Sequence, residues 1–138
     1  MAVVPYLYFN GNCEEAMTTY ARVFGGEISG IMRMGDMPQD PPLPDDVAKM
    51  VMNMLYTMPD GTRIMASDNW QGTSATTSNI SLTVEFDSVE ETKSAYDALI
   101  EGADIQEPFG PQFWTEAFVA FKDRFNIRWQ LTGPYKQM

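Results

Sequence analysis

No histidine occurs in the 138 residues, and cysteine occurs once, at Cys13. Without imidazole, the Ser-His-Asp and Cys-His routes to an activated nucleophile are excluded, as are His-rich metal sites. Any proton transfer then falls to Asp, Glu, Lys, Tyr or water. A lone cysteine excludes an internal disulfide and any Cys-x-x-Cys redox or zinc pair. Bases are scarce as well: nine Lys and Arg against 19 Asp and Glu leave a net charge of −10, and the bases form no stripe. Such a chain repels phosphate backbones and anionic lipid, so nucleic acid is not an expected partner. No apolar run reaches membrane-spanning length, and no basic segment leads into an apolar stretch at the amino terminus. Neither membrane insertion nor export is therefore expected, and the chain reads as soluble and cytoplasmic.

What is present suits one compact domain, or two small modules sharing a core, since 44% of 138 residues are hydrophobic. Residues 3–9 (VVPYLYF) are β-branched and aromatic and predict a strand, and the apolar positions 13, 16, 17, 20 and 24 predict a helix that Gly25-Gly26 stops. A strand over 27–34 follows, then a proline-rich acidic loop over 35–49, then strands 50–57 and 62–67 around the Asp60-Gly61 turn. After a Ser/Thr-rich connector at 71–78 the order recurs: strand 79–86, helix 89–101, strand 103–107, loop 108–114, strands 116–121 and 126–132. The chain thus reads as an α+β protein of two βαβββ modules, 1–70 and 79–138. Shifted by 76 residues the helices superimpose, Asn12-x-x-Glu15 on Ser88-x-x-Glu91, Tyr20 on Tyr96 and Gly26 on Gly102. Each helix start predicts a capping box, in which the first side chain accepts an orphan backbone N–H and the Glu reaches back. That gives Glu15 a structural task and leaves Cys13 as a small, partly buried helix residue.

Several motifs in order, Pro5–Phe9, Asn10–Ala16 (NGNCEEA), Phe24–Glu27 (FGGE), Met65–Asp68 (MASD), Phe113-Trp114 and Asp123–Trp129 (DRFNIRW), span nearly the whole chain. They resemble the vicinal oxygen chelate superfamily of glyoxalase I, bleomycin-resistance proteins and extradiol dioxygenases, and within it the PhnB-like branch. The resemblance implies a curved, barrel-like mixed sheet around a cavity, helices outside, and frequent homodimers. It also implies metal ligands on the first and fourth strand of each module, which fall near Pro5, Met65, Asn79 and Gln130. Proline has no donor atom, methionine offers a thioether, and neutral amides bind hard cations weakly. No metal or other cofactor is therefore expected; if a divalent metal is present, Asp68 and Gln130 are its ligands. Some members of the branch carry a demethylubiquinone methyltransferase label, but no Gly-rich loop between a strand and a helix is present to hold S-adenosylmethionine.

Strand alternation adds its own view of the cavity. Ile80, Leu82, Val84 and Phe86 form the helix-facing set of their strand, which leaves Asn79, Ser81, Thr83 and Glu85 on the other face. In the last strand, Ile127, Trp129 and Leu131 face the helix and Arg128, Gln130 and Thr132 the cavity, with Arg63 at the position of the first module that matches Arg128. Arginine supplies a planar fork for a carboxylate or phosphate oxygen; alternatively, Arg128 pairs with an acid such as Glu85. Phe109, Phe113, Trp114 and Phe118 supply a candidate apolar wall, with Trp70 a further candidate at the module junction. The expectation is a protein binding a small polar or anionic molecule without a metal, through Asn79, Glu85, Arg63, Arg128, Gln130, Phe113 and Trp114. Two alternatives stay open: a divalent-metal-dependent enzyme of the same superfamily, and a resistance protein sequestering a cationic drug.

Overall fold

Two four-stranded mixed sheets with short helices make up the computed structural model, which describes residues 1–37, 41–69 and 79–137. The chain divides into two compact units, Met1–Ser74 and Ala75–Met138. The expected connector at 71–78 and Trp70 lie outside the described residues.

The first unit runs β1 (Tyr6–Phe9), α1 (Cys13–Phe24), β2 (Glu27–Arg33), α2 (Asp45–Ala48), β3 (Val51–Thr57) and β4 (Arg63–Asp68). Its strand order is β1-β4-β3-β2, with β1 parallel to β4 and the other pairs antiparallel. The second unit repeats this plan with β5 (Leu82–Glu85), α3 (Val89–Leu99), β6 (Asp104–Gln112), β7 (Thr115–Lys122) and β8 (Arg128–Thr132), in the order β5-β8-β7-β6. The α+β class and the two βαβββ units are as expected. Within each unit the sheet is open, with its first and second strands at the edges.

The apolar stripe of α1 buries Cys13, Ala16, Met17 and Tyr20, and α1 packs on β2, β3 and β4. In the second unit α3 packs on β7 and β8, where Thr92, Ala95 and Leu99 meet a sheet face carrying Ala117, Val119, Phe121, Trp129 and Leu131, all buried. Burying one such large side chain contributes roughly 1.5–3 kcal/mol, so these faces hold each helix in place. The glycines after each helix match in role. Gly26 (φ 95) and Gly102 (φ 73) both adopt left-handed backbone, and a Cβ on Gly26 would lie 2.2 Å from the Thr57 carbonyl oxygen.

Three of the departures from the sequence reading have physical reasons. β6 continues to Gln112 where a loop over 108–114 was expected, because β6 is an edge strand with an irregular register that tolerates Pro108 and Pro111. Phe113 and Trp114 thus become the hairpin tip. β5 is Leu82–Glu85 rather than 79–86, since its one partner, β8, begins at Arg128, after a turn in which Asn126 has φ 72. Ile80, expected to face the helix, lies outside the strand and is 71% exposed. The proline-rich segment is also partly regular: α2 starts after Pro44, a residue suited to a helix start.

Candidate functional site

Two carboxylates from the recognisable motifs are buried, one held by backbone N–H groups alone and the other by backbone N–H groups and an indole. Asp68, at the end of β4, is 5% exposed. Its Oδ1 accepts the N–H groups of Gly11 (3.0 Å) and Cys13 (2.9 Å), and its Oδ2 accepts that of Val51 (2.9 Å). Asp68 therefore closes the N-terminus of α1, and the expected capping box at Asn12 is absent: Asn12 makes no side-chain cap bond. Asp123 behaves alike in the second unit. Its Oδ1 accepts the Phe125 and Ile127 N–H groups (2.9 and 3.0 Å) and its Oδ2 accepts the indole N–H of Trp129 (2.8 Å). The Asp123–Trp129 motif is thus a turn clamp that anchors the largest buried side chain.

Cys13 is fully buried, and burial, followed by the charges of Asp68 and Glu14, pushes its thiol up to about 12. A thiol in that state is not a nucleophile. Glu14 forms an ion pair with Arg33 at 3.1 Å, while a second Arg33 nitrogen donates to the Lys49 carbonyl.

The expected ligand set does not fit a metal. The register pairs Tyr6 with Met65, so the β1 residue that shares a face with Met65 is Tyr6, and Pro5 falls ahead of the strand. Asn79 is exposed and precedes β5; the residue opposite Gln130 is Thr83, whose hydroxyl donates to the Gln130 carbonyl oxygen at 3.2 Å. Asp68 has both oxygens occupied. Among the described residues no three His, Cys, Asp or Glu side chains converge.

The structure does bring several predicted residues onto one surface. Along β7 burial alternates without a break: Ala117, Val119 and Phe121 are buried under α3, while Phe118, Ala120 and Lys122 are half-buried on the opposite face. Phe118 pairs with Thr132, Ala120 with Gln130 and Lys122 with Arg128, and β5 adds Thr83 beside Gln130 and Glu85 beside Thr132. Arg128, Gln130 and Glu85 therefore lie on the face away from α3, as expected. Thr132 is a correction: it is 2% exposed, and its hydroxyl donates to Thr115 at 3.0 Å, so it belongs to a structural cluster. Glu85 is held by the Tyr135 hydroxyl, a hydrogen bond that is the main cause of the raised pKa of that phenol.

Trp114 meets Phe118 edge to face at 5.5 Å, and Phe113, 77% exposed, lies 4.9 Å from Trp114. The backbone N–H of Lys136 donates to the Trp114 carbonyl and so pins this tip to the chain's last residues. Phe109 goes elsewhere. It stacks on Tyr96 of α3 at 5.4 Å and lines a groove of about 500 Å³ on the helix side with Val89 and Lys93, the latter paired with Asp97 at 2.6 Å. Phe109 is the one candidate wall residue among the described residues lining that groove, so it is separated from Phe113, Trp114 and Phe118.

Arg63 opens β4 of the first unit as Arg128 opens β8 of the second, exposed on the face away from α1. Sequence reasoning missed the company on that face: Tyr6 and Tyr8, ring centroids 4.9 Å apart, with the Asn53 amide donating to the Tyr6 hydroxyl at 3.2 Å. The two-residue spacing of Tyr6 and Tyr8, which puts them on one face of the strand, is the signal the sequence carries.

Residues 1–132 match the family described as 3-demethylubiquinone-9 3-methyltransferase. Protein YjdN of Escherichia coli K12 is 29% identical, over 99% of this chain and 98% of its own. The crystal structure of PA1353 from Pseudomonas aeruginosa is 34% identical with a TM-score of 0.85, covering 96% of this chain and 97% of that one. A putative 3-demethylubiquinone-9 3-methyltransferase, PhnB protein, from Bacillus cereus is 26% identical with a TM-score of 0.79, covering 97% and 100%. A glyoxylase/bleomycin resistance protein/dioxygenase domain from Frankia, 14% identical over 96% of this chain and 95% of that one, shares the fold with a TM-score of 0.66.

Proposed function

The chain belongs to the 3-demethylubiquinone-9 3-methyltransferase family, PhnB-like and built on the glyoxalase/bleomycin-resistance fold, and on that premise we propose that it binds a small polar or anionic molecule without a metal. The ligand lies on the open face of the second unit's sheet. One observation carries this reading: Arg128 and Gln130 sit on the same solvent-accessible face as Thr83, Phe118 and Trp114, a planar cationic fork beside amide, hydroxyl and aromatic surface. Nothing about packing α3 requires those residue types there.

The chemistry of the donors supports a metal-free site, since the acid nearest the expected ligand positions, Asp68, is spent on three backbone N–H groups. The methyltransferase in the family's description gains no support from the Asn10–Asn12 corner. Helix N-terminal N–H groups attract anions, but here Gly11 and Cys13 already donate to Asp68. A reduced lone cysteine and a charge of −10 accord with a cytoplasmic protein that avoids nucleic acid, and a homodimer is part of the same reading. Among the described residues no helix is long and apolar enough to cross a membrane.

Calorimetric titration with acetate and inorganic phosphate tests the site. Arg128→Ala is expected to weaken binding by about tenfold or more, the worth of one charge-assisted hydrogen bond. An unchanged affinity would remove Arg128 from the site, and stoichiometric metal in protein purified without an affinity tag would overturn the metal-free reading.

A further inference from the structure

The groove beside α3 lies on the helix side of the second unit's sheet, opposite the face that carries Gln130 and Phe118. α3 packs on β7 and β8, and β6 is the edge strand beyond them. The register of β6 slips between Glu107 and Gly110, so the chain bulges at Pro108 and Phe109. Bulges re-aim side chains. Gly110 stays paired with Phe118, while Phe109 turns to the helix side and stacks on Tyr96 at 5.4 Å with 26° between the ring planes. Val89, Glu90, Lys93, Ser94 and Asp97 complete the groove, a stripe along α3 of about 12 Å at the α-helical rise.

The groove already holds one ammonium. Nζ of Lys93 lies 5.9 Å from the ring centroids of both Tyr96 and Phe109 and donates to Asp97 at 2.6 Å. Ring faces backed by a carboxylate are the surroundings that receive organic cations. Lys93 is turned to Asp97, and Glu90, one turn earlier on the same stripe, is exposed and makes no ion pair among the described residues. The lining therefore sets two carboxylates against one ammonium, with Val89 and the Phe109 ring as its apolar part. Sealing α3 against the edge strand accounts for the aromatic stack, but not for the surplus acid beside it.

We propose that this groove is a second binding site, for an organic cation with an apolar body, a substituted ammonium. The cationic head takes the place between Glu90 and the Phe109 ring, and the body lies along Val89 and the rings. Lys93 is the groove's own competitor for the aromatic faces. The site is on the other side of the sheet from the proposed anion face and does not depend on it.

Titration of the whole chain with benzyltrimethylammonium, tetramethylammonium and the neutral benzyl alcohol, followed by amide NMR shifts at low ionic strength, tests this. Benzyltrimethylammonium is expected to shift the Glu90, Lys93 and Phe109 amides and to bind about threefold or more tighter than either of the others. Added salt should weaken it, since the carboxylates are exposed. Glu90→Gln, a surface change, is expected to cost benzyltrimethylammonium about threefold and benzyl alcohol nothing, whereas Lys93→Gln should tighten benzyltrimethylammonium about twofold by removing the resident ammonium. Phe109→Leu, which keeps apolar bulk and removes the ring face, should weaken it about threefold. Equal affinity for benzyltrimethylammonium and benzyl alcohol would overturn the proposal, as would the absence of shifts at those amides. Weakening by Phe109→Leu alone, with Glu90→Gln and Lys93→Gln silent, would show an apolar groove without a cation site and would overturn it as well.

Discussion

The helices α1 and α3 start at matching places in a repeated unit, yet their ends are closed by different means. At α3, Ser88 has extended backbone (φ −143, ψ 156) and its hydroxyl accepts the Glu91 N–H at 3.1 Å. The Glu91 carboxylate accepts the Ser88 hydroxyl proton in return, rather than the backbone N–H that a full capping box would use. At α1, Asn12 has φ −117 and ψ 25, outside the region from which a cap side chain reaches the first turn. The orphan donors there turn to Asp68, 55 and 57 residues away in sequence, which also holds the start of β3. The same cap-x-x-Glu signature thus encodes a local closure in one unit and a tertiary one in the other, and local backbone conformation decides between them.

The largest effect is expected where the closure is tertiary. Asp68→Ala leaves the buried N–H groups of Cys13 and Val51, and the part-buried one of Gly11, without an acceptor; at roughly 1–3 kcal/mol for each buried group, a loss of about 2–6 kcal/mol is expected in urea denaturation followed by circular dichroism. Against a typical total of about 5–15 kcal/mol, such a variant is close to unfolding. Asp68→Asn, which keeps one oxygen, should fall about midway and remain measurable. A loss under about 1 kcal/mol in the alanine variant would mean that the carboxylate does not hold the corner.

Ser88→Ala is the local counterpart, and it should cost about 1 kcal/mol, the usual worth of an N-cap. Hydrogen exchange should rise at the Glu91 amide, which loses its acceptor. Little change is expected at Thr92, whose N–H donates to the Ser88 backbone carbonyl and not to its side chain. Equal acceleration at both amides would show that the first turn frays as a whole.

The contrast also marks what the sequence could reveal. Period-two and period-3.6 patterns, with Gly26 and Gly102 as stops, were enough to find both units, because burial acts directly on those periods. The face carrying Arg128, Gln130 and Glu85 followed from alternation in β8 and β5, a local property. Long-range hydrogen bonds left no such trace. Nothing near Asp68 in sequence shows that Gly11, Cys13 and Val51 converge on it, so it reads as a spare metal ligand, and the Asp123–Trp129 motif gives no local sign that Asp123 clamps its own turn. Edge-strand tolerance hid β6 behind its prolines, and Asn79 and Ile80 were placed in β5 because the point where β8 begins is set by a turn, not by β5 itself.

The smallest expected effect is the sharpest test of the comparison. Asn12→Ala removes the residue that the sequence pattern makes the cap of α1. Its backbone carbonyl would still accept the Ala16 N–H at 3.0 Å, and Asp68 would still hold Gly11 and Cys13. A change under about 0.5 kcal/mol is therefore expected in the same denaturation assay, half or less of the loss at Ser88. If Asn12→Ala and Ser88→Ala cost the same, the two helix starts are equivalent after all, and Asp68 supports a cap that Asn12 already makes. If Asn12→Ala is silent while Asp68→Asn is costly, the corner that resembles a cap in sequence is a receptor for a distant carboxylate, and the start of α1 depends on β4 rather than on its own cap residue.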